Sequence, residues 1–266
     1  MNGRERVLRA IERRRPDRLP VFYQATPEVD AALCAHLGLP GREDLVARLG
    51  QDVRHVGPRY VGPERRVFPD GSREGLWGER YREVVYGDGL GTYPEASHLP
   101  FAEIASVDAL DGYPFPSADW YDYAGIAAQC EAQGEYAIYC GGAGQPDFMN
   151  GIARCRGVER VLYDVGTEDA VFRRLVEERF RFFYEVTERT LQAAGGRIDV
   201  VHTGEDLGTQ RGPIISLRSF DRLFAPYYRE YWAMAHRYGA RTMLHSCGSV
   251  RAFLPRLIEL GLDILD

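Results

Sequence analysis

From about residue 124 the sequence settles into one rhythm, in which short apolar runs alternate with longer amphipathic ones across short connections. A helix over 124–133 precedes the strand EYAIYCGG (135–142), and helices follow over 146–156, 158–165 and 168–194. In the last of these, Phe172, Leu175, Val176, Phe180 and Phe183 fall on one face, the period expected of a packed helix. RIDVVHTGED (197–206) reads as a strand. Ser216 caps a long helix that runs to Gly239, with Pro226 as a kink. RTMLHSCG (241–248) is a strand, 250–260 a helix, and LDILD (262–266) a strand. Strand then helix, repeated, predicts a parallel sheet, because parallel neighbours need a crossover between them.

Before residue 124 the expected elements are a helix over 3–14 ended by Pro16, the buried strand LPVFYQ (19–24), and helices over 27–37 and 42–49 leading to DVRHV (52–56). An open doubly wound sheet would carry a glycine-rich phosphate turn after its first strand, and YQATPE (23–28) has none. The pattern therefore predicts an α/β fold of the (β/α)8 TIM barrel kind. Its main strands number five (19–24, 135–142, 197–206, 241–248 and 262 onward), and the last has no helix to cover it. Three further βα units of roughly 30 residues each would close a barrel. The expectation is a single barrel domain over 1–266, with its C-terminal part lying beyond this chain.

Residues 57–123 differ in character. RRVFPDGSREGLWGERYREVVYG reads as β-hairpin material, with a turn at Pro69-Asp70-Gly71, where proline presets φ and glycine accepts a positive one. YPFPSADWYDY (113–123) reads as an extended linker. The stretch is expected to be an excursion within the domain.

Composition narrows the chemistry. The chain has 33 basic and 39 acidic residues, a net charge of −6, and every basic residue is arginine. Without lysine there is no Schiff base, no P-loop cation and no kinase strand cation. Mild acidity and the absence of an arginine–aromatic stripe argue against nucleic acid as a partner. No apolar run approaches the roughly 20 residues that cross a bilayer, and the N-terminus has no secretory core. Five scattered cysteines read as reduced thiols in a cytoplasm.

In a barrel the reacting groups sit at the C-terminal ends of the strands. Those ends carry Cys140-Gly141-Gly142 with Gln145, Asp147 and Phe148; then His202, Glu205 and Asp206 with Gln210; then His245-Ser246-Cys247-Gly248. At i, i+2 on a strand, His245 and Cys247 project to one face, and imidazole with thiolate is a zinc-ligating pair. A catalytic zinc needs a third protein ligand, for which Glu205, Cys140, His202 or a residue beyond Asp266 are the candidates. Glu205 and Asp206 read as ligand, general base or substrate anchor, or alternatively as helix-start stabilisers. Their flanking glycines, Gly204 and Gly208, suggest close backbone approach. Cys34, Cys130 and Cys155 read as core residues, and His36, His55, His98 and His236 as surface or structural ones. Arg13-Arg14-Arg15 reads as solvated. Gly87-Asp88-Gly89-Leu90-Gly91 resembles a phosphate loop by composition alone.

Three separated stretches, RERVLRAIERRRPDRLPV, GEDLGTQRGPIIS and RTMLHSCGSVRAFLPRLIELGLDILD, resemble the uroporphyrinogen decarboxylase superfamily, in order and over essentially the whole chain. The resemblance implies a (β/α)8 barrel and one of two chemistries. True decarboxylases of that superfamily act on a tetrapyrrole of porphyrin biosynthesis without cofactor, and grip its carboxylates with an R-Q-A-G-R motif. Here the matching stretch is Phe22-Tyr23-Gln24-Ala25-Thr26-Pro27, without either arginine. The other branch transfers methyl groups between a corrinoid and a thiol or methylated molecule. It is similar at His245 and Cys247, where its H-x-C pattern binds zinc with a third, C-terminal cysteine. Glu205 and Asp206 match its acidic segment, which implies a catalytic role for them. Gln24, Gln145, Asp147, Phe148 and Gln210 are the implied substrate contacts. The leading expectation is a zinc-dependent methyltransferase-like enzyme working on a small-molecule substrate with cobalamin or a corrinoid protein. The alternatives are a decarboxylase and a non-catalytic binding protein on the same barrel.

Overall fold

Asn2 starts the first helix by accepting the Glu5 N–H with its side chain, so that α1 runs over Gly3–Ile11. The computed structural model describes all 266 residues. Pro27 opens α2 (Pro27–Leu37), which stops at Gly38 in the left-handed region, and α3 spans Arg42–Arg48. The first strand, β1, is Val53–His55. After the excursion come α4 (Ile126–Ala132), β7 (Ala137–Pro146), α5 (Phe148–Arg156), α6 (Val158–Thr167), α7 (Ala170–Ala194) and β8 (Val200–Gly204). Then follow α8 (Leu217–Leu223), α9 (Ala225–Arg237), β9 (Arg241–His245), α10 (Leu254–Leu260) and β10 (Ile264–Leu265).

The five main strands form one parallel sheet in the order β1-β7-β8-β9-β10. Its register sends Ile138, Cys140, Val201 and Leu244 into the helix layer, where they are buried with Phe172, Tyr228 and Trp232 of α7 and α9. Tyr139, His202, Met243 and His245 share the opposite face.

One expected strand is corrected. Residues 19–24 form no strand, and β1 takes the first place in the sheet. Asp52 explains the difference. Its backbone N–H donates to Val21 O, but its carboxylate takes the Val21 N–H and pairs with Arg6 and Arg18. A side chain thus substitutes for the next ladder bond, and pairing ends after one. The interruption expected at Pro226 is present in the helix from Ser216 to Gly239, as a full break. Ser216 caps the helix as expected, by accepting the Ser219 N–H, and the chain divides into α8 and α9 at Phe224. Pro226 can neither donate to the preceding turn nor fit its ring against it.

The excursion holds β2 (Arg59–Tyr60), β3 (Arg73–Glu74), β4 (Arg80–Tyr86), β5 (Gly91–His98) and β6 (Tyr121–Asp122). β2 pairs with β6 and closes its base, while β3, β4 and β5 form an antiparallel sheet. At the Pro69 turn, Phe68 O accepts the Gly71 N–H and Gly71 has φ 80°. The Gly87–Gly91 stretch is the tip of the β4–β5 hairpin. Trp77 anchors the excursion by packing on Phe182 of α7, 5.6 Å between ring centroids. The hairpin also touches the main fold at two places, because Thr92 N donates to Glu28 of α2 and β5 packs on α5. No helix is long and apolar enough to cross a membrane.

Candidate metal centre

Two loops, following β8 and β9, meet at the C-terminal end of the sheet. Glycine permits the approach. A Cβ on Gly208 would lie 2.5 Å from Ser249 N in the loop after β9, and one on Gly204, at the end of β8, would lie 1.7 Å from Ala143 O of the neighbouring β7. Ser246 Oγ then accepts the Leu207 N–H at 3.0 Å and joins the loops directly.

Three side chains converge there. His245 Nε2 is 3.4 Å from Cys247 Sγ and 4.0 Å from Asp206 Oδ1, and the three donor atoms lie within 4.8 Å of one another. Asp206 Oδ1 accepts the Cys247 N–H at 2.8 Å, and its Oδ2 accepts from Asn150 Nδ2 at 2.9 Å. His245 Nδ1 faces Asp266 Oδ2 at 3.2 Å. A proton shared on that side leaves the Nε2 lone pair pointing into the cluster, the arrangement a metal-ligating histidine adopts. Partial burial and the Asp206 carboxylate push the Cys247 thiol up, so the cluster without a cation disfavours thiolate. A divalent cation reverses that sign.

The donor set suits zinc. Bonds of about 2.0–2.3 Å in a tetrahedron put the donors roughly 3.3–3.8 Å apart. The 3.4 Å nitrogen–sulfur distance falls inside that span, whereas the 4.0 Å nitrogen–oxygen distance exceeds the roughly 3.3–3.5 Å of such a pair, so Asp206 would have to draw in on a bound ion.

Asp206 occupies the third position, whereas Glu205, Cys140 and His202 lie outside the cluster. Glu205 is buried and points the other way: its carboxylate accepts the N–H groups of Phe148 and Met149 at 2.8 and 2.9 Å and the Tyr228 hydroxyl at 3.0 Å. It therefore holds the first turn of α5. Burial, reinforced by Asp147, pushes its carboxyl well above the ordinary range. Asp147 is likewise raised by burial, against the opposing charge of Arg179. Its backbone is left-handed, with φ 45°. Cys140 sits in the core with its thiol pushed up to about 12 by burial. His202 is buried under Phe22 and Tyr139, neither ring nitrogen meets a protein partner, and burial pushes it down to about 4.

The expected substrate contacts do not gather in one place. Gln24 lines a cavity of about 410 Å³ beside Arg54 and His55, and Gln145 lines one of about 150 Å³ beside Cys140. Phe148 stacks on Phe224 in the core, Asp147 is buried, and Gln210 is exposed on the loop after β8. The cavity that reaches the cluster measures about 430 Å³ and is lined by Asp206, Asn150, Arg154, Tyr93, Glu95 and Val158. Sequence reasoning passed over Asn150, Arg154, Tyr93 and Asp266. Only Asp266 had a visible signal, as a carboxylate ending a strand beside the H-x-C strand.

No protein-family model matches the chain, and no curated protein sequence matches it. Among solved structures, a methyltransferase from Methanosarcina mazei superposes with a TM-score of 0.62 at 15% identity, over 100% of this chain and 75% of that one. At that identity the likeness carries the fold alone.

Proposed function

We propose that the chain is a zinc-dependent, methyltransferase-like enzyme of the cytoplasm, built on a (β/α)8 barrel of the uroporphyrinogen decarboxylase kind. In this reading it moves a methyl group between a corrinoid, free or carried by a corrinoid protein, and a thiol or methylated small molecule. The observation that carries the reading is the convergence of His245, Cys247 and Asp206 at one strand end. The M. mazei methyltransferase supports it at the level of fold.

His245, Cys247 and Asp206 would hold the zinc, which when bound keeps an acceptor thiol deprotonated and nucleophilic at neutral pH. Asp266 orients the His245 ring through Nδ1. The 430 Å³ cavity beside Asp206 admits a small substrate, and the β5 wall at Tyr93 and Glu95 limits its size. Glu205 acts on structure, by fixing the α5 start that forms one wall of that cavity.

Decarboxylation of a tetrapyrrole fits less well. A substrate with many carboxylates needs several cationic partners, and Arg154 is the single guanidinium lining the cavity at the cluster.

Metal analysis of the purified protein, alongside His245→Ala, tests the reading. The expected result is one zinc per chain, lost in the variant, together with thiol-dependent loss of the methylcobalamin absorbance. A wild-type protein that carries no zinc and binds none from buffer would end it.

A further inference from the structure

Asp206 differs from its two partners in having two chemically equivalent oxygens and a side chain that can rotate. Its side chain is 31% exposed, so packing alone does not set its orientation. Two hydrogen bonds do. The Cys247 N–H holds Oδ1 from the β9 loop, and the Asn150 amide holds Oδ2 from α5. From this geometry we infer that Asn150 is the positioning residue that turns Asp206 Oδ1 toward His245 and Cys247. The inference rests on the zinc reading of the cluster.

The placement of Asn150 follows from Glu205. Asn150 is the third residue of α5, and the N–H groups of the two before it, Phe148 and Met149, both donate to the Glu205 carboxylate. Glu205 is joined covalently to Asp206. The helix start is therefore clamped to the residue next to the ligand, and the Asn150 side chain spans a gap that its own backbone anchor fixes. The two acidic neighbours divide the work: Glu205 sets where α5 begins, and α5 returns an amide that sets how Asp206 faces.

Outer hydrogen-bond partners of metal ligands are worth about 10–100-fold in metal affinity. The test is zinc affinity of the full chain, measured by competition with a chromogenic chelator. It compares the wild type, Asn150→Leu (similar shape, no donor), Asn150→Gln (donor kept on a longer arm) and His245→Ala. Thermal unfolding of each metal-free protein is recorded in parallel. The expected pattern is zinc affinity about 10–100-fold weaker in N150L, partly recovered in N150Q, and absent in H245A. The metal-free unfolding midpoint of N150L should match that of the wild type. Equal affinity of N150L and wild type, with H245A still losing zinc, overturns the role of Asn150 and leaves the metal reading standing. If N150L loses affinity only in step with a lowered metal-free midpoint, and N150Q recovers neither, Asn150 is structural and the inference fails. No zinc bound by the wild type removes the metal reading itself, and the inference with it.

Discussion

Asp206 Oδ1 accepts the backbone N–H of Cys247 at 2.8 Å, across 41 positions of sequence. The bond brings a carboxylate from one strand end against the thiol of the next, and it makes Asp206, in place of its neighbour Glu205, the third member of the cluster. Loss of either acidic side chain should therefore have a different consequence.

Asp206→Ala should weaken zinc binding at least about tenfold and leave the fold intact, since the side chain is partly exposed. Glu205→Ala strands two buried N–H donors, at a cost of about 1–3 kcal/mol in unfolding free energy, while the Tyr228 hydroxyl keeps Gly204 O as its acceptor. Chelator competition and urea titration on both variants separate the two effects. Equal losses of zinc without loss of stability would contradict the division.

The elevated Glu205 carboxyl gives a pH signature. Its folded state holds the proton more tightly than the unfolded chain, whose carboxyl titrates near about 4.3. Stability is thus lost as pH rises above that value, until the folded-state group itself ionises. Glu205→Gln keeps an acceptor without the charge, so its stability relative to wild type should improve steadily from about pH 5 upward. Urea midpoints across that series check the slope; a parallel pair of curves would contradict it.

His202 works in the opposite direction. Its ordinary value is about 6.5, and burial holds it down to about 4, so the unfolded chain takes the proton first. The contribution is complete above the ordinary value and is lost as pH falls through the window down to about 4. At 1.36 kcal/mol per unit the loss approaches roughly 3 kcal/mol at the bottom of that window. His202→Phe should flatten the acid limb of the stability curve; an unchanged limb would place the titrating group elsewhere.

Gly204→Ala drives a Cβ into the Ala143 carbonyl. The strands β7 and β8 must part there, at about 1–3 kcal/mol or more. The cluster should loosen too, because Asp206 is two residues on. Gly212→Ala, with open space at the same position, is the control and should leave both stability and zinc affinity unchanged.

Much of this was readable from composition and period. The strand–helix alternation after residue 124 located four of the five sheet strands, because a parallel strand buried on both faces must be apolar and a covering helix must be amphipathic. The H-x-C spacing singled out His245 and Cys247, which lie together although β9 ends at His245 and Cys247 comes from the loop after it, and Gly204 and Gly208 announced close backbone approaches, made to β7 and to the loop after β9. The stretch at 19–24 misled because its apolar content fits a strand, while the Asp52 carboxylate that interrupts its pairing lies 31 residues from Val21.

The sequence by itself determined the layers and the parallel sheet, since each depends on local period, and it set His245 and Cys247 close together by their spacing. Which acidic residue joins that pair was decided only in three dimensions. Glu205 and Asp206 are equivalent as letters, and the N-terminus of α5, folded against one of them, leaves the other free to face His245. Long-range hydrogen bonding makes that choice, and no local pattern encodes it.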